Sequence, residues 1–242
     1  MINLLCPINN TTGYGITSTN TWKELRKLTE VCIFPIGGVQ LETNLDHPAA
    51  QEDIDRSMEG KSKDAPCLKI WHMHDLFSRV GSGTYGAFPF FEVDKLKPIE
   101  IACLGHTDIV FTASDWSKQV LIDNGIAESK IRVVPLAVDH NTFNAEIYFN
   151  TTVTKNNKYI FINIGKWEVR KGHDVLVHAF NEAFNEDDNV ELWMVNHNPF
   201  LQEAQIAQWR DLYTNSKLGN KIKHFDRFNT HNELFDSSII KY

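Results

Sequence analysis

The sequence lacks three features that would place it in other classes of protein. Its four cysteines are scattered and form no Cys-x-x-Cys pair, which predicts reduced, mostly buried thiols rather than a disulfide framework. No apolar run approaches the roughly 20 residues needed to cross a bilayer. Residues 1–7 show neither the basic segment nor the small-residue cleavage site of a signal peptide. These absences predict a cytoplasmic protein without a transmembrane segment.

An excess of basic residues is also missing. Lys and Arg number 24 against 31 Asp and Glu, a formal net charge of -7 over 242 residues. Proteins that bind nucleic acid usually carry a basic face, so no nucleic-acid partner is expected. The 42% of hydrophobic residues is enough to build a core, and the length predicts one large domain or two small ones.

Short apolar runs alternate with segments of helical composition along the chain. The predicted strands are Ile2–Cys6, Val31–Phe34, Cys67–Trp71, Asp108–Thr112, Ile131–Leu136, Tyr159–Ile164, Val190–Val195 and Lys221–Phe225. Strands that alternate with helices of 10–15 residues indicate parallel sheets covered by helices. The fold class is therefore α/β, with two Rossmann-like, doubly wound domains.

The alternation is interrupted once, which sets the domain boundaries. Residues 141–157 are rich in Asn and Thr and have no clear period, so they are interpreted as a linker between a domain over 1–140 and a second over 158–242. A doubly wound unit normally continues to five or six strands. The second domain shows about three and is therefore expected to be incomplete.

The sharpest local pattern runs from Gly165 to Gly172, directly after a predicted strand and before a predicted helix. It contains Lys166, Arg170 and Lys171. The free N–H groups and the dipole of a helix N-terminus attract anions, and cationic side chains at the same place suit a diphosphate. A solvated basic turn explains the spacing alone equally well.

This segment resembles the donor-phosphate motif of the retaining glycosyltransferases of family 4, which have the GT-B fold. Val133–Asp139 followed by Phe143 is similar to that family's crossover between domains, although Ala137 stands where glycine is commonest. The order and spacing of these segments make the resemblance more specific than any one of them.

Two earlier segments resemble the same family. Thr12–Gly15 is similar to its N-terminal glycine loop, which implies that Gly13 and Gly15 border the substrates. Thr112–Lys118 is similar to its helix start, which implies that Ser114 lies on the acceptor side.

His72 and His74 follow the third predicted strand. Two histidines at i and i+2 on a strand share a face and suit a metal, but no third ligand lies at convincing spacing, so no metal site is predicted. In the resembled family a histidine after this strand commonly lies near the sugar, which implies a catalytic role for His74 or His72. A histidine merely hydrogen-bonded at a strand end remains the alternative.

The resemblance implies transfer of a hexose from a nucleotide diphosphate sugar to a hydroxyl of a glycan, lipid or protein, with retention and without a metal or other cofactor. Lys166 and Lys171, with Arg170 and Gly165, would hold the donor phosphates. The family's C-terminal E-x7-E segment is absent: after Phe225 the acidic residues are Asp226, Glu233 and Asp236. Either the chain is truncated, or a second chain completes the domain, or catalysis is lost.

Other functions remain open. A non-catalytic remnant or subunit that binds a nucleotide, a sugar or a partner chain would also lack the E-x7-E segment. A nucleotide-sugar epimerase would need a complete second domain. A dinucleotide-dependent oxidoreductase is disfavoured, because Gly13-Tyr14-Gly15 lacks a third glycine and no acidic residue closes the strand Val31–Phe34.

Two further segments of the sequence each have a structural and a functional interpretation. Asp53-Ile54-Asp55 spells a metal-binding D-x-D triplet, but its polar surroundings predict a solvated surface. Pro89–Leu96 is aromatic and acidic, and is interpreted as a core-anchored loop or as the lining of an acceptor site.

Overall fold

The computed structural model describes residues 1–41, 46–138 and 158–225. The chain divides into two compact units, Met1–Asp139 and His140–Tyr242, each described here by itself. The predicted linker over 141–157 and the acidic residues after Phe225 lie outside the described residues.

The first unit is a six-stranded parallel sheet in the order β2-β1-β3-β4-β5-β6. Its elements are β1 (Ile2–Cys6), α1 (Gly13–Leu28), β2 (Val31–Pro35), α2 (Asp46–Met58), β3 (Cys67–Lys69), β4 (Tyr85–Ala87), α3 (Pro98–Gly105), β5 (Ile109–Thr112), α4 (Asp115–Asp123) and β6 (Ile131–Val133). The strand order reverses between β1 and β3. Open α/β sheets bind ligands at the carboxyl ends of the strands beside such a reversal.

Alternation along the strands divides the core of this unit between two clusters. Ala87, Val110 and Ile131 pack with residues of α3 and α4. Leu4 and Ile33, paired in the register of β1 and β2, pack with Trp22 of α1 in the other cluster. Successive side chains on a strand point to opposite faces, so β5 supplies both clusters, with Val110 in the first and Phe111 against the second.

The second unit, in the part that the structure describes, is a three-stranded parallel sheet in the order β7-β8-β9. Its elements are β7 (Tyr159–Gly165), α5 (His173–Ala183), β8 (Val190–Asn196), α6 (Glu203–Thr214) and β9 (Ile222–Phe225). The central strand β8 is buried along its whole length, as expected of a strand inside a parallel sheet. The α/β fold with parallel sheets, predicted from the sequence, is confirmed in both units.

The strand β4 was not predicted, because the glycine-rich sequence Gly81–Gly86 precedes and enters it. Gly86 lies in the sheet beneath the ring of Phe111: a Cβ on this glycine would come within 2.9 Å of a ring carbon. A glycine inside a strand often marks such a close approach, which the local sequence does not reveal.

The prediction of a solvated surface at Asp53 was wrong. The Asp53 carboxylate is fully buried, accepts a hydrogen bond from Trp22 Nε1 at 2.8 Å, and pairs with Arg26 at 3.0 Å and with Arg56. The side chains of α2 meet those of α1 on this side, so the first carboxylate of the triplet faces inward while Asp55 stays exposed. Two guanidinium groups compensate the buried charge.

All four cysteines are buried and free, as predicted, and burial raises the pKa of Cys6 to about 12. Among the described residues, no helix combines the length and the apolar character that a membrane crossing requires.

Candidate functional site

The segment Gly165–Gly172, called the cationic loop below, connects β7 to α5. β7 ends at Gly165, residues Val169–Lys171 form a 3-10 turn, and α5 begins at His173. Gly172 has a φ of 71°, a left-handed conformation that glycine adopts without steric cost. That conformation turns the chain from the 3-10 turn into the helix.

Three exposed cations project from the cationic loop: Lys166, Arg170 and Lys171. Arg170 pairs with the Glu168 carboxylate at 3.1 Å. The Nζ atom of Lys166 lies 5.3 Å from the centre of the Phe200 ring, within range of a cation–π interaction. Within the described ranges, neither lysine has an ion-pair partner, so both charges face solvent at a helix N-terminus.

Trp167 anchors the same loop to the core of the second unit. Its ring is buried and stacks on Trp209 at a centroid distance of 5.7 Å. Its carbonyl oxygen accepts a hydrogen bond from Asn198 Nδ2 at 2.8 Å. The buried Trp167 therefore stands between two outward-facing neighbours, Lys166 and Glu168. Sequence reasoning missed this anchor, although a tryptophan between two charged residues was a usable signal.

His173 fastens the loop a second time, from the start of α5. The ring is 1% exposed. Its Nδ1 lies 3.1 Å from the Glu168 amide nitrogen and its Nε2 lies 3.1 Å from Asn163 Oδ1, an oxygen that also accepts from Asn196 Nδ2 at 2.8 Å. Burial lowers the pKa of His173. This residue was also missed by sequence reasoning.

The glycine loop of the first unit opens α1. Thr12 caps the helix, its hydroxyl accepting from the Gly15 amide at 3.1 Å. Asn9 Oδ1 accepts from the amides of Thr11 and Thr12. A Cβ on Gly15 would come within 2.1 Å of that Asn9 oxygen, whereas a Cβ on Gly13 would meet nothing within 4 Å. The close approach of Asn9 therefore requires glycine at position 15, whereas position 13 has room for a side chain.

His72 and His74 come after the third strand, as predicted, and do not themselves lie on a strand. β3 ends at Lys69, and His72 precedes a 3-10 turn over Met73–Asp75. The two exposed rings stack at 5.5 Å. Partial burial, and then the neighbouring His74, lower the pKa of His72. No group of three potential metal ligands is found in the described part of the chain.

Tyr14 brings the glycine loop and the histidine turn together. Its ring lies 4.7 Å from the ring of His72 and 5.4 Å from that of Trp71. Its hydroxyl bonds to the backbone of Phe90, in the segment that follows β4. The segments that follow the carboxyl ends of β1, β3 and β4 thus meet beside the point where the strand order reverses. We call Tyr14, Trp71, His72, His74 and Phe90 the aromatic cluster.

Ser114 lies at the carboxyl end of β5 and caps α4. Its hydroxyl accepts from the Ser117 amide at 3.2 Å and lies 2.9 Å from the Ser117 hydroxyl. The neighbouring Trp116 is half exposed and lies 6.1 Å from the ring of Phe91. The structure therefore gives Ser114 a capping role, at the same edge of the sheet as the aromatic cluster.

A scan against protein-family models finds no match, and a search of curated proteins finds none. Several solved structures are similar to the chain. HepE from Anabaena, in complex with UDP-glucose, matches with a TM-score of 0.62 at 12% identity over 94% of this chain and 69% of that one. A glycosyltransferase from Rickettsia africae matches with 0.66 at 18% identity over 97% and 70%. Sucrose-phosphate synthase from Thermosynechococcus elongatus matches with 0.62 at 12% identity over 96% and 71%.

These likenesses establish the fold. The chain has the α/β architecture of the GT-B glycosyltransferases, with parallel sheets in two units. It spans about 70% of the length of the structures that it matches.

Proposed function

We propose that the chain is a glycosyltransferase that moves a hexose from a nucleotide diphosphate sugar to an acceptor hydroxyl, with retention at the anomeric carbon and without a metal. The observation that carries the proposal is the cationic loop, in which exposed lysines flank a helix N-terminus at the carboxyl end of a parallel strand. The GT-B fold supports it, and one structure with that fold was solved with UDP-glucose.

The cationic loop is assigned to the donor diphosphate. When the bond to the hexose breaks, negative charge grows on the departing diphosphate. Lys166, Lys171 and the N–H groups at the start of α5 are fixed groups that stabilise charge where it develops. Arg170 adds a third cation, partly balanced by Glu168. Side-chain cations and a helix N-terminus supply the role that a divalent cation plays in other transferases.

The aromatic cluster is assigned to the sugar. His74 and His72 are exposed beside the strand-order reversal, where they can donate or accept hydrogen bonds with sugar hydroxyls. Gly13 and Gly15 open the adjacent helix, and Ser114 marks the acceptor side of the same sheet edge. The acceptor is a hydroxyl of a glycan, lipid or protein, and the acidic net charge of the chain disfavours nucleic acid.

Calorimetric titration of the whole chain with UDP-, GDP- and ADP-glucose tests donor binding. Micromolar binding to one of them supports the proposal and names the base. Binding that persists in EDTA supports the metal-independent form. A chain that circular dichroism shows to be folded, yet that binds none of a wider panel of nucleotide sugars, contradicts the assignment.

Release of free hexose from the bound donor, with water as the acceptor, tests catalysis. Proton NMR within the first minutes, before mutarotation, identifies the anomer: the anomer of the donor supports retention and its epimer contradicts it. Binding without any turnover, with water or with an acceptor panel, would favour a non-catalytic protein that binds nucleotide sugars.

A further inference from the structure

The backbone of the cationic loop is held in place by a buried residue, His173, as well as by Trp167. His173 is the first residue of α5, and its ring reaches back under the loop. One ring nitrogen meets the Glu168 amide in the middle of the loop, and the other meets Asn163 in β7. The ring therefore joins the strand before the loop to the loop itself.

Two tautomers fit the contacts of this ring, and in both the ring binds the Glu168 backbone. With the hydrogen on Nε2, the Glu168 amide donates to Nδ1 and Nε2 donates to Asn163 Oδ1. With the hydrogen on Nδ1, the ring donates to the Glu168 carbonyl oxygen and Nε2 accepts from Asn196 Nδ2 at 3.2 Å. In the first tautomer, a second proton on Nδ1 would remove the acceptor of the Glu168 amide. The protonated nitrogen would then turn to the Glu168 carbonyl oxygen, which is also 3.1 Å away. Protonation of this ring thus changes what holds the loop backbone.

The packing around the ring leaves little freedom. Trp167 and Trp209 lie edge-on to it, with centroids at 5.0 Å and 5.9 Å. The hydroxyl of Tyr213 donates to the carbonyl oxygen of His173 at 2.5 Å. The ring is thus held by two tryptophans, and the backbone of the same residue is held by Tyr213.

We infer that His173 is a positioning residue: it fixes the backbone of the cationic loop at Glu168, so that the three cations of the loop face a nucleoside diphosphate in one arrangement. The inference rests on the proposed function for the identity of the ligand. It assigns His173 no contact with substrate.

The charges that face the ring favour this role at neutral pH. Burial lowers the pKa of His173 and outweighs the hydrogen bond to the Glu168 backbone and the carboxylates of Asp174 and Glu168, which raise it; Lys171 lowers it slightly further. The groups contributed by the packed elements are Asn163 of β7, Asn196 of β8, and Trp209 and Tyr213 of α6. Tyr213 is neutral because burial raises its pKa, so no further charge meets the ring from those elements.

The test compares three variants on one helix. His173→Phe keeps the ring shape and removes both hydrogen bonds. His173→Gln restores a donor near the Nε2 position and leaves the Glu168 amide without its acceptor. His178→Phe makes the same change at an exposed position of α5 and is the control. Affinity is measured for the tightest of UDP-, GDP- and ADP-glucose, whose diphosphate does not titrate near pH 6.

We expect His173→Phe to weaken donor binding about tenfold, the scale of one net hydrogen bond. KM for the donor should rise by the same factor while kcat changes less than threefold. His173→Gln should recover part of the loss, and His178→Phe should match the wild type. Acidification from pH 7.5 to 5.5 should weaken wild-type binding more than binding by His173→Gln. Equal affinities in the wild type and a folded His173→Phe variant overturn the inference.

Hydrogen exchange at the Glu168 amide gives a second readout that needs no ligand. Protection of that amide should fall in both His173 variants and stay unchanged in His178→Phe. Unchanged protection overturns the inference even if donor binding is never found. Lost protection in a chain that binds no nucleotide sugar would instead contradict the proposed function and leave the role of His173 in the loop intact.

Discussion

The hydroxyl of Tyr14 donates a hydrogen bond to the carbonyl oxygen of Phe90 at 3.1 Å and accepts one from the amide of the same residue at 2.9 Å. The two residues are 76 positions apart in the chain. The Tyr14 side chain therefore ties the segment after β4 to the start of α1. The ring of His72 lies beside the Tyr14 ring. The geometry of the aromatic cluster depends on this pair.

Tyr14→Phe should destabilise the first unit by about 1–3 kcal/mol, because the partly buried Phe90 amide loses its acceptor. Urea unfolding monitored by circular dichroism measures the change. Tyr159→Phe, at a tyrosine that is 76% exposed, is the matched control and should be neutral. Equal unfolding midpoints for Tyr14→Phe and the wild type would show that the pair contributes nothing to stability.

Gly15→Ala should destabilise the chain by about 1–3 kcal/mol, since the new methyl group would lie 2.1 Å from Asn9 Oδ1. Gly13→Ala, at the first residue of the same helix, has open space and should be neutral or slightly stabilising. Thermal unfolding compares the two. Equal effects of the two substitutions would contradict the steric role of Gly15.

Lys171→Ala should weaken binding of a nucleotide diphosphate sugar by roughly 1.5–3 kcal/mol, the contribution of a charge-assisted hydrogen bond. Calorimetric titration measures it. Lys217→Ala removes an exposed lysine that follows α6 in the same unit, and it serves as the control. An unchanged affinity in the Lys171 variant would remove this residue from the donor site.

His74→Ala should leave donor affinity nearly intact and lower the transfer rate by about tenfold or more, the scale of one hydrogen bond that positions the sugar for reaction. Titration and hexose release measure the two quantities separately. His178→Ala, at an exposed histidine outside the aromatic cluster, controls for loss of a histidine. Equal losses of affinity and rate would place His74 elsewhere.

The stability of the second unit should fall as the pH drops below about 6.5, the ordinary pKa of histidine. Burial lowers the pKa values of His173 and His224, so the unfolded chain binds protons at these positions before the folded chain does. Their contribution is fully present above 6.5 and is lost as the pH falls toward the lowered values. Melting temperatures between pH 7.5 and 5.5 test this. His173→Gln should flatten the profile, and a profile independent of pH would contradict the burial of both rings.

Much of the fold follows from local patterns. The strands at Ile2–Cys6 and Tyr159–Gly165 are apolar runs bounded by polar turns, and the helix after Gly172 follows from its apolar periodicity. Such patterns record which side of an element is buried, so they predict alternating strands and helices. They do not predict β4, whose Gly86 is required by the ring of Phe111 far along the chain.

The parallel α/β architecture, the buried cysteines and the cluster of cations between β7 and α5 all follow from local features of the sequence. These features depend on neighbouring residues and on charge, and both can be obtained from the sequence. Three contacts become visible only in the folded chain: Tyr14 with Phe90, Asp53 with Trp22, and His173 with Glu168 and Asn163. Each of these is a directional contact between segments whose approach depends on the packing of whole elements, and no local period encodes such a contact.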